Sequence, residues 1–196
     1  GYMEIVFVFL IRMRKEGNLP SKGGIKMSEK GIEIVKLDVE NLIGILNEAL
    51  AEEWLAYYQY WVGVKVMTGP MRSEKETELL IHANEELAHA ELVANRITQL
   101  GGTPILSPAE WMSKARCAYE APTDPYIEAI LAQNLTGERC AIQRYEELAG
   151  LTIGKDHATH QMAVQILNDE LEHEQEIADW IDDFERLRQD FLALRK

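Results

Sequence analysis

Residues 170–173 read Glu170-Leu171-Glu172-His173, a Glu-x-x-His element, and the first half of the chain contains a second one, Glu86-Leu87-Ala88-His89. Each element follows a further glutamate. Glu53 stands 33 residues before Glu86, and Glu138 stands 32 residues before Glu170. One glutamate followed by one Glu-x-x-His element therefore occurs twice in the chain.

These acids and histidines occupy positions where apolar side chains belong. On either side of Glu53, Leu46, Ala49, Ala56 and Tyr60 step by three, four and seven residues, the period of the buried face of a helix. Glu53 lies in this apolar stripe, and the other five residues lie in similar stripes. Six polar side chains are therefore expected to point into one core: Glu53, Glu86, His89, Glu138, Glu170 and His173.

Buried carboxylates need positive charge, because burying each ion without a partner costs several kcal/mol. The stripes contain no matching set of Lys or Arg, whereas two divalent cations would cancel four glutamates. Spacing of i, i+3 places Glu and His on one helical face, as in the known carboxylate di-iron and di-manganese bundles. Oxygen-rich ligation with two imidazoles and no thiolate favours two iron ions per subunit, with manganese or zinc as alternatives.

The periodicity predicts an all-α fold of four long helices, and capping and turn residues predict their bounds as residues 38–67, 73–101, 124–150 and 157–187. Asp38 is the predicted first N-cap, and Ser73-Glu74-Lys75-Glu76 is a predicted capping box. The segment between the second and third helices carries a short predicted helix from Ser107 to about Ala115 and must cross the bundle. Two antiparallel pairs joined by one long crossover form a ferritin-like four-helix bundle.

The 196-residue chain carries a formal net charge of −13, distributed unevenly. Residues 1–36 hold seven basic and four acidic residues, net +3, which leaves −16 for the remainder. We expect residues 1–36 to be a disordered or extraneous tail with Met27 as a plausible start, residues 37–190 to form the bundle, and residues 191–196 to be a C-terminal tail. The acidic bundle speaks against DNA binding and suits a surface that gathers cations.

Membrane insertion and secretion are not expected from this sequence. The longest apolar run, Ile5 to Ile11, is far shorter than the roughly 18 residues that a membrane span needs. Two cysteines, Cys117 and Cys140, fit a cytoplasmic protein better than a secreted disulfide scaffold.

Further candidate residues lie near the predicted site. Tyr60 and Tyr145 each follow a glutamate of the site by seven residues and could donate a hydrogen bond or an electron near the metals; ordinary core packing is the alternative. Glu85 and Asp169 could accept the imidazole N–H of the histidines four residues after them, or could be simple surface acids.

The two cysteines are not expected to be metal ligands. Cys140 lies about 200° around its helix from Glu138 and should face away from the metals. Cys117, at the end of the crossover, could meet it. From the residues alone, two buried free thiols are favoured.

The stretch Glu53-Trp54-Leu55-Ala56-Tyr57-Tyr58-Gln59-Tyr60 resembles the first ligand helix of bacterioferritin, and the other five candidate ligands match that family one for one. The overall plan is more similar to the Dps-like proteins also called thioferritins. The similarity lies in Gly137-Glu138-Arg139-Cys140-Ala141 with Cys117 upstream, and in residues 166–174.

This resemblance implies a dodecameric cage of four-helix subunits with a ferroxidase centre in each, hydrogen peroxide as preferred oxidant over dioxygen, iron storage, and a redox-active pair of Cys117 and Cys140. Leu87 stands where bacterioferritin carries its haem-ligating methionine, so no haem is expected. The Dps pattern of ligands between subunits is missing, so DNA binding of the Dps kind is not carried over.

The sequence is compatible with two functions. The first is a ferroxidase and iron-storage cage that protects against oxidative stress by consuming peroxide. The second is a di-iron or di-manganese oxidase or peroxidase that acts on a small substrate without storing iron.

Overall fold

The structure, a computed structural model, describes residues 29–194, and these residues are almost entirely helical. Their helices are α1 (Glu29–Glu33), α2 (Val39–Val66), α3 (Arg72–Gln99), α4 (Trp111–Lys114), α5 (Ile127–Thr152) and α6 (His157–Ala193), with a 3-10 turn at Pro108–Glu110. The predicted all-α fold is confirmed. Met27 and most of the predicted N-terminal tail lie outside the described residues, as do residues 195 and 196.

The four long helices form two antiparallel pairs, α2 with α3 and α5 with α6. The segment between α3 and α5 crosses from one pair to the other and carries the short helix predicted there. Within residues 29–194, no helix is both long and apolar enough to cross a membrane.

The predicted start of the second long helix needs one correction. Asp38 caps α2 as expected, accepting from the backbone N–H groups of Glu40 and Asn41. At α3, however, the N-cap is Met71 in the left-handed conformation, and no side chain caps this end. Ser73 therefore lies inside the first turn and does not form the predicted capping box.

A tight turn after α2 holds the two helix pairs together. Thr68 donates to the Pro125 carbonyl at 2.7 Å, and Ile127 donates back to the Thr68 carbonyl at 2.8 Å. The next residue, Gly69, has φ +122°, and a Cβ added there would lie 2.9 Å from the Ile127 side chain. A glycine is required at this turn, and α5 begins at Ile127 rather than at the predicted Asp124-Pro125.

The apolar interior consists of two clusters, one towards each end of the bundle. One contains Leu46, Val93, Leu148 and Ile166 among others, and the second contains Val64, Leu79, Leu131 and Ile177 among others. Each long helix contributes to both. The six predicted polar side chains lie between the clusters, so a polar layer divides the apolar core.

A buried ion pair joins the end of α3 to the start of α6. Arg96 Nη2 donates to Oδ1 and Oδ2 of Asp156, at 2.9 and 2.8 Å, and Arg96 Nε–H donates to Thr159. Asp156 is also the N-cap of α6. Burial alone would raise the pKa of Asp156, but hydrogen bonds from Thr159 and Arg96 hold this pKa below its usual value.

We expect Asp156→Asn to reduce the free energy of unfolding by about 3–5 kcal/mol, because it leaves the Arg96 charge buried without its partner. A carboxylate with a lowered pKa stabilises the fold above its unfolded-state pKa, and this contribution is lost in acid. The difference between parent and variant should therefore shrink as the pH falls below about 4.

Chemical unfolding followed by circular dichroism at pH 7 and pH 3.5 would measure both effects. Asp182→Asn is the matched control, because Asp182 pairs with Arg186 on the exposed face of α6 and should contribute at most about 1 kcal/mol. Equal losses in the two variants would contradict the prediction.

Candidate metal centre

The structure brings the six predicted polar side chains together at the middle of the bundle. They form two groups that share Glu86 and Glu170, and within each group the potential ligand atoms lie within 4.8 Å of one another. Glu53 and His89 complete the first group, whereas Glu138 and His173 complete the second. All six side chains are buried, and Glu170 has no exposed surface.

The two histidines present the same nitrogen to the centre. His89 Nδ1 lies 3.6 Å from oxygens of Glu53 and Glu86. The corresponding distances from His173 Nδ1 are 3.5 Å to Glu86 and 3.7 Å to Glu138. Glu170 lies between them, with Oε1 3.3 Å from His89 Nδ1 and Oε2 3.2 Å from His173 Nδ1.

The shared carboxylates therefore have bridging geometry. Glu86 directs Oε2 to the first group and Oε1 to the second, and Glu170 likewise directs one oxygen to each. Glu53 and Glu138 each belong to one group only. This arrangement offers each of two cations one imidazole, one terminal carboxylate and two bridging carboxylates.

Five of the atoms that face the centre have no hydrogen-bond partner. Among the described residues, the buried side-chain atoms without a partner include Glu53 Oε2, both oxygens of Glu170, and Nδ1 of His89 and His173. Buried polar atoms are normally satisfied, and lone pairs that converge in this way suit a cation. The donor set of carboxylates and imidazoles fits iron or manganese.

Each imidazole has a hydrogen-bonded carboxylate partner, which lies on the other helix of the pair α3 and α6 and not on the helix of the histidine. His89 Nε2 lies 3.1 Å from Asp169, and His173 Nε2 lies 2.8 Å from Glu85. Glu85 and Asp169 were expected to contact the histidines of their own helices, so the pairing is exchanged. With the proton held at Nε2, Nδ1 of each ring is directed at the centre as a ligand atom.

The two tyrosines are exchanged in the same way. Tyr60 donates to Glu138 Oε1, and Tyr145 donates to Glu53 Oε1, so each holds a glutamate of another helix. Burial, followed by the nearby carboxylates, raises the pKa of both phenols, which keeps them as hydrogen-bond donors. Each phenol restrains one oxygen of a terminal carboxylate and leaves the other oxygen facing the centre.

Without metal, the carboxylates and imidazoles share protons. Burial raises the pKa of Glu53 to about 8. Burial and the charges of Glu86 and Glu138 raise the pKa of Glu170 well above its ordinary value. Burial alone would raise the pKa of Glu86 as well, but the two imidazoles lower it to about 2.

The imidazoles respond in the opposite sense to the buried acids. Burial alone would lower the pKa of His89 and His173, but the surrounding carboxylates raise it above its ordinary value. The protons therefore take the place of cations in neutralising the four buried carboxylates.

Cys117 and Cys140 form a disulfide, with a Cα–Cα distance of 5.8 Å. The expectation of two buried free thiols was wrong, because the end of the crossover lies directly over α5 and brings the two side chains into contact. Neither cysteine belongs to the two groups of potential ligands. Cys117 nonetheless lines a cavity that reaches Glu53 and Glu138, so the disulfide lies beside the centre.

A buried ion pair that the sequence does not predict lies next to the centre. Arg144 donates to both oxygens of Glu52, at 2.8 and 2.7 Å, and Glu52 also accepts from the backbone N–H of Arg116 at 2.7 Å. This pair anchors the segment that carries Cys117. The sequence contains one indication of this pair. Glu52 and Arg144 directly precede Glu53 and Tyr145, which also contact each other.

His82 lies one helical turn before Glu86 but outside both groups of potential ligands. It is buried, with Nδ1 3.4 Å from the Tyr60 hydroxyl and Nε2 2.9 Å from Glu176. Its ring stacks on that of His173 with a centroid distance of 4.2 Å. His82 therefore supports the residues around the centre.

Comparison with known proteins gives a consistent picture. The family model described as ferritin-like domain matches residues 43–187. A DNA protection during starvation protein from Pyrococcus furiosus is 38% identical over 146 residues, which are 73% of this chain and 78% of that protein.

Solved structures show the same similarity. The bacterioferritin-related protein of Bacteroides fragilis, described as a dodecameric thioferritin, is 48% identical with a TM-score of 0.83, over 84% of this chain and 99% of that one. Dps from Thermosynechococcus elongatus superposes with a TM-score of 0.70 at 14% identity, over 78% of this chain and 95% of that one. The second similarity concerns the fold alone.

Proposed function

This chain belongs to the ferritin-like domain family, and on that premise we propose that it is a ferroxidase that oxidises Fe(II) at an intrasubunit two-iron centre and stores Fe(III) in a cage. The observation that carries the proposal is the pair of bridging carboxylates, Glu86 and Glu170, between two imidazoles. Together with Glu53 and His89 on one side and Glu138 and His173 on the other, they offer two adjacent sets of potential metal ligands with the same composition.

The proposed reaction follows from this pairing. Two Fe(II) ions held side by side supply two electrons, the number that one hydrogen peroxide accepts when its O–O bond breaks and two hydroxide ions form. Glu53, Glu86, His89, Glu138, Glu170 and His173 are the proposed ligands. Tyr60 and Tyr145 hold the terminal carboxylates, and Cys117 and Cys140 are a candidate redox pair at the edge of the centre.

We further propose that twelve subunits form the cage, in line with the dodecamer described for the Bacteroides fragilis protein. Removing Fe(II) and peroxide together would protect the cell from oxidative damage. The name of the Pyrococcus furiosus relative includes DNA protection. For this chain we propose protection through iron chemistry, because residues 37–196 carry a net charge of −16 and would repel DNA phosphates.

One set of measurements tests the proposal. Anaerobic titration should saturate at two Fe(II) per chain, peroxide should then be consumed at one molecule per two Fe(II), and light scattering should give a particle of twelve chains. Repeated additions should load iron well beyond two per chain. A small oligomer that holds two metals per chain and takes up no more would instead support the oxidase or peroxidase function.

A further inference from the structure

A small cavity adjoins the metal centre on the side of its carboxylates. Glu53, Glu86 and Glu138 line it, whereas His89 and His173 do not. Its outer wall is formed by residues 117–119 of the crossover, and its volume is about 40 Å³. A buried water needs at least about 10–15 Å³ by the same kind of measure, so the cavity has room for a molecule of two oxygen atoms.

One hydrogen-bond donor in the wall of this cavity has no partner. Asn134 is 2% exposed, lies one helical turn before Glu138, and lines the cavity. Among the described residues, its Nδ2 is one of the few buried side-chain atoms without a hydrogen bond. A buried N–H2 group that stays unpaired costs about 1–3 kcal/mol. An acceptor inside the cavity would remove this cost.

The orientation of the Asn134 amide follows from its neighbours. The backbone N–H of Glu120 donates to Gln59 Oε1 at 3.3 Å, and a backbone N–H can only donate. Gln59 must therefore turn its Nε2 towards Asn134, where it donates to Oδ1 at 3.2 Å. Asn134 therefore keeps Nδ2 as an unpaired donor, in a side chain that lines the cavity.

The side chains that line the cavity determine which hydrogen bonds a bound molecule can form. The occupant must accept a hydrogen bond from Asn134 and lie beside carboxylates that only accept when ionised. Hydrogen peroxide both accepts and donates. Dioxygen has no proton to donate and is a weak acceptor, so it would form only weak hydrogen bonds with Asn134 and none with the carboxylates.

We propose that this cavity is the oxidant site, in which Asn134 binds hydrogen peroxide next to the iron pair and favours it over dioxygen; this inference rests on the proposed ferroxidase function. Gln59 is the positioning residue that sets the polarity of Asn134. The peroxide O–O bond breaks as two Fe(II) ions each give one electron, and both oxygens leave as hydroxide.

Two variants test the donor separately from the shape of the cavity. Asn134→Leu keeps the size and removes the N–H2 group. Gln59→Glu keeps the size as well, still accepts from Glu120, but cannot donate to Asn134, which would then turn its Oδ1 into the cavity. A single hydrogen bond contributes about 0.5–1.5 kcal/mol, so both variants should raise the KM for peroxide about 3- to 10-fold.

The ratio of kcat/KM for peroxide to that for dioxygen should fall by the same factor in both variants. Gln133→Leu is the control, because Gln133 precedes Asn134 but donates to the Ala121 carbonyl outside this cavity. Gln133→Leu should keep the parent ratio. An unchanged ratio in Gln59→Glu, or equal losses of kcat/KM with the two oxidants, would overturn the proposal. If Asn134→Leu fails to assemble, the ratio measured for Gln59→Glu is a sufficient test of the role of Asn134.

A crystal structure of the zinc-loaded protein supplies a readout that does not depend on activity. It should contain an ordered water oxygen within hydrogen-bond distance of Asn134 Nδ2, at the place of a peroxide oxygen, and this oxygen should be lost in Asn134→Leu. A dry cavity would overturn the oxidant site. If the parent protein binds no Fe(II), the ferroxidase function is refuted. The crystal structure then still shows whether the cavity binds a molecule at Asn134.

Discussion

Replacing Glu170 with glutamine is expected to weaken binding of two Fe(II) ions by more than about 100-fold, because even the loss of a residue that only supports a metal ligand costs 10- to 100-fold. Glu170 faces both imidazoles with separate oxygens, so its loss affects both ions. A glutamine has the same size but supplies only one weak oxygen ligand. Anaerobic Fe(II) titration by calorimetry would measure the effect.

The same substitution should stabilise the metal-free protein. Burial and neighbouring charges raise the pKa of Glu170, which means that the folded chain holds this group at a cost. Glutamine is neutral at every pH and removes the cost of protonating this carboxyl group on folding. Thermal unfolding should therefore show a gain without metal and a loss of the stabilisation that Fe(II) gives the parent.

Glu172→Gln is the matched control, because Glu172 lies two residues away on the same helix and is exposed. It should leave both Fe(II) binding and unfolding close to those of the parent. Two tightly bound Fe(II) ions per chain in Glu170→Gln would refute the bridging role of this residue.

The sequence predicts the helices and the polar layer because both depend on local periodicity. Glu53 and Glu170 stand in apolar stripes that can be recognised from a few turns of helix. Their burial in the structure agrees with that pattern. A short local motif alone is a weaker signal, as at Ser73, where the chain enters α3 through the left-handed Met71 and the predicted capping box does not form.

The contacts between helices are what the sequence does not specify. Glu85 and Asp169 are recognisable as partners for imidazoles, but which histidine each one meets depends on how α3 and α6 pack side by side. The ion pair of Glu52 and Arg144 joins residues 92 positions apart, and the disulfide depends on where the crossover lies. A single sequence has no local signal for such distances.

Fe(II) binding is expected to release protons and to weaken by about 100-fold or more for each unit by which the pH falls below 7. Metal ligands must be deprotonated. In the metal-free protein the pKa values of His89, His173 and Glu170 are raised, and that of Glu53 is raised to about 8. Glu53 and the two imidazoles hold protons at pH 7, and each proton displaced changes the binding constant about tenfold per pH unit, so the two imidazoles alone give this factor.

The stability of the two forms should move in opposite directions between pH 5 and pH 8. A group whose folded-state pKa is raised stabilises the fold at low pH, and this contribution is lost as the pH rises towards the folded-state value. The metal-free protein should therefore lose stability across this range, whereas Fe(II)-bound protein should gain it. Anaerobic Fe(II) titrations at pH 6 and 7, with proton release followed by an indicator in weak buffer, measure the coupling. Glu170→Gln should release fewer protons per chain, and binding that is independent of pH would show that the buried acids and imidazoles do not hold the metal.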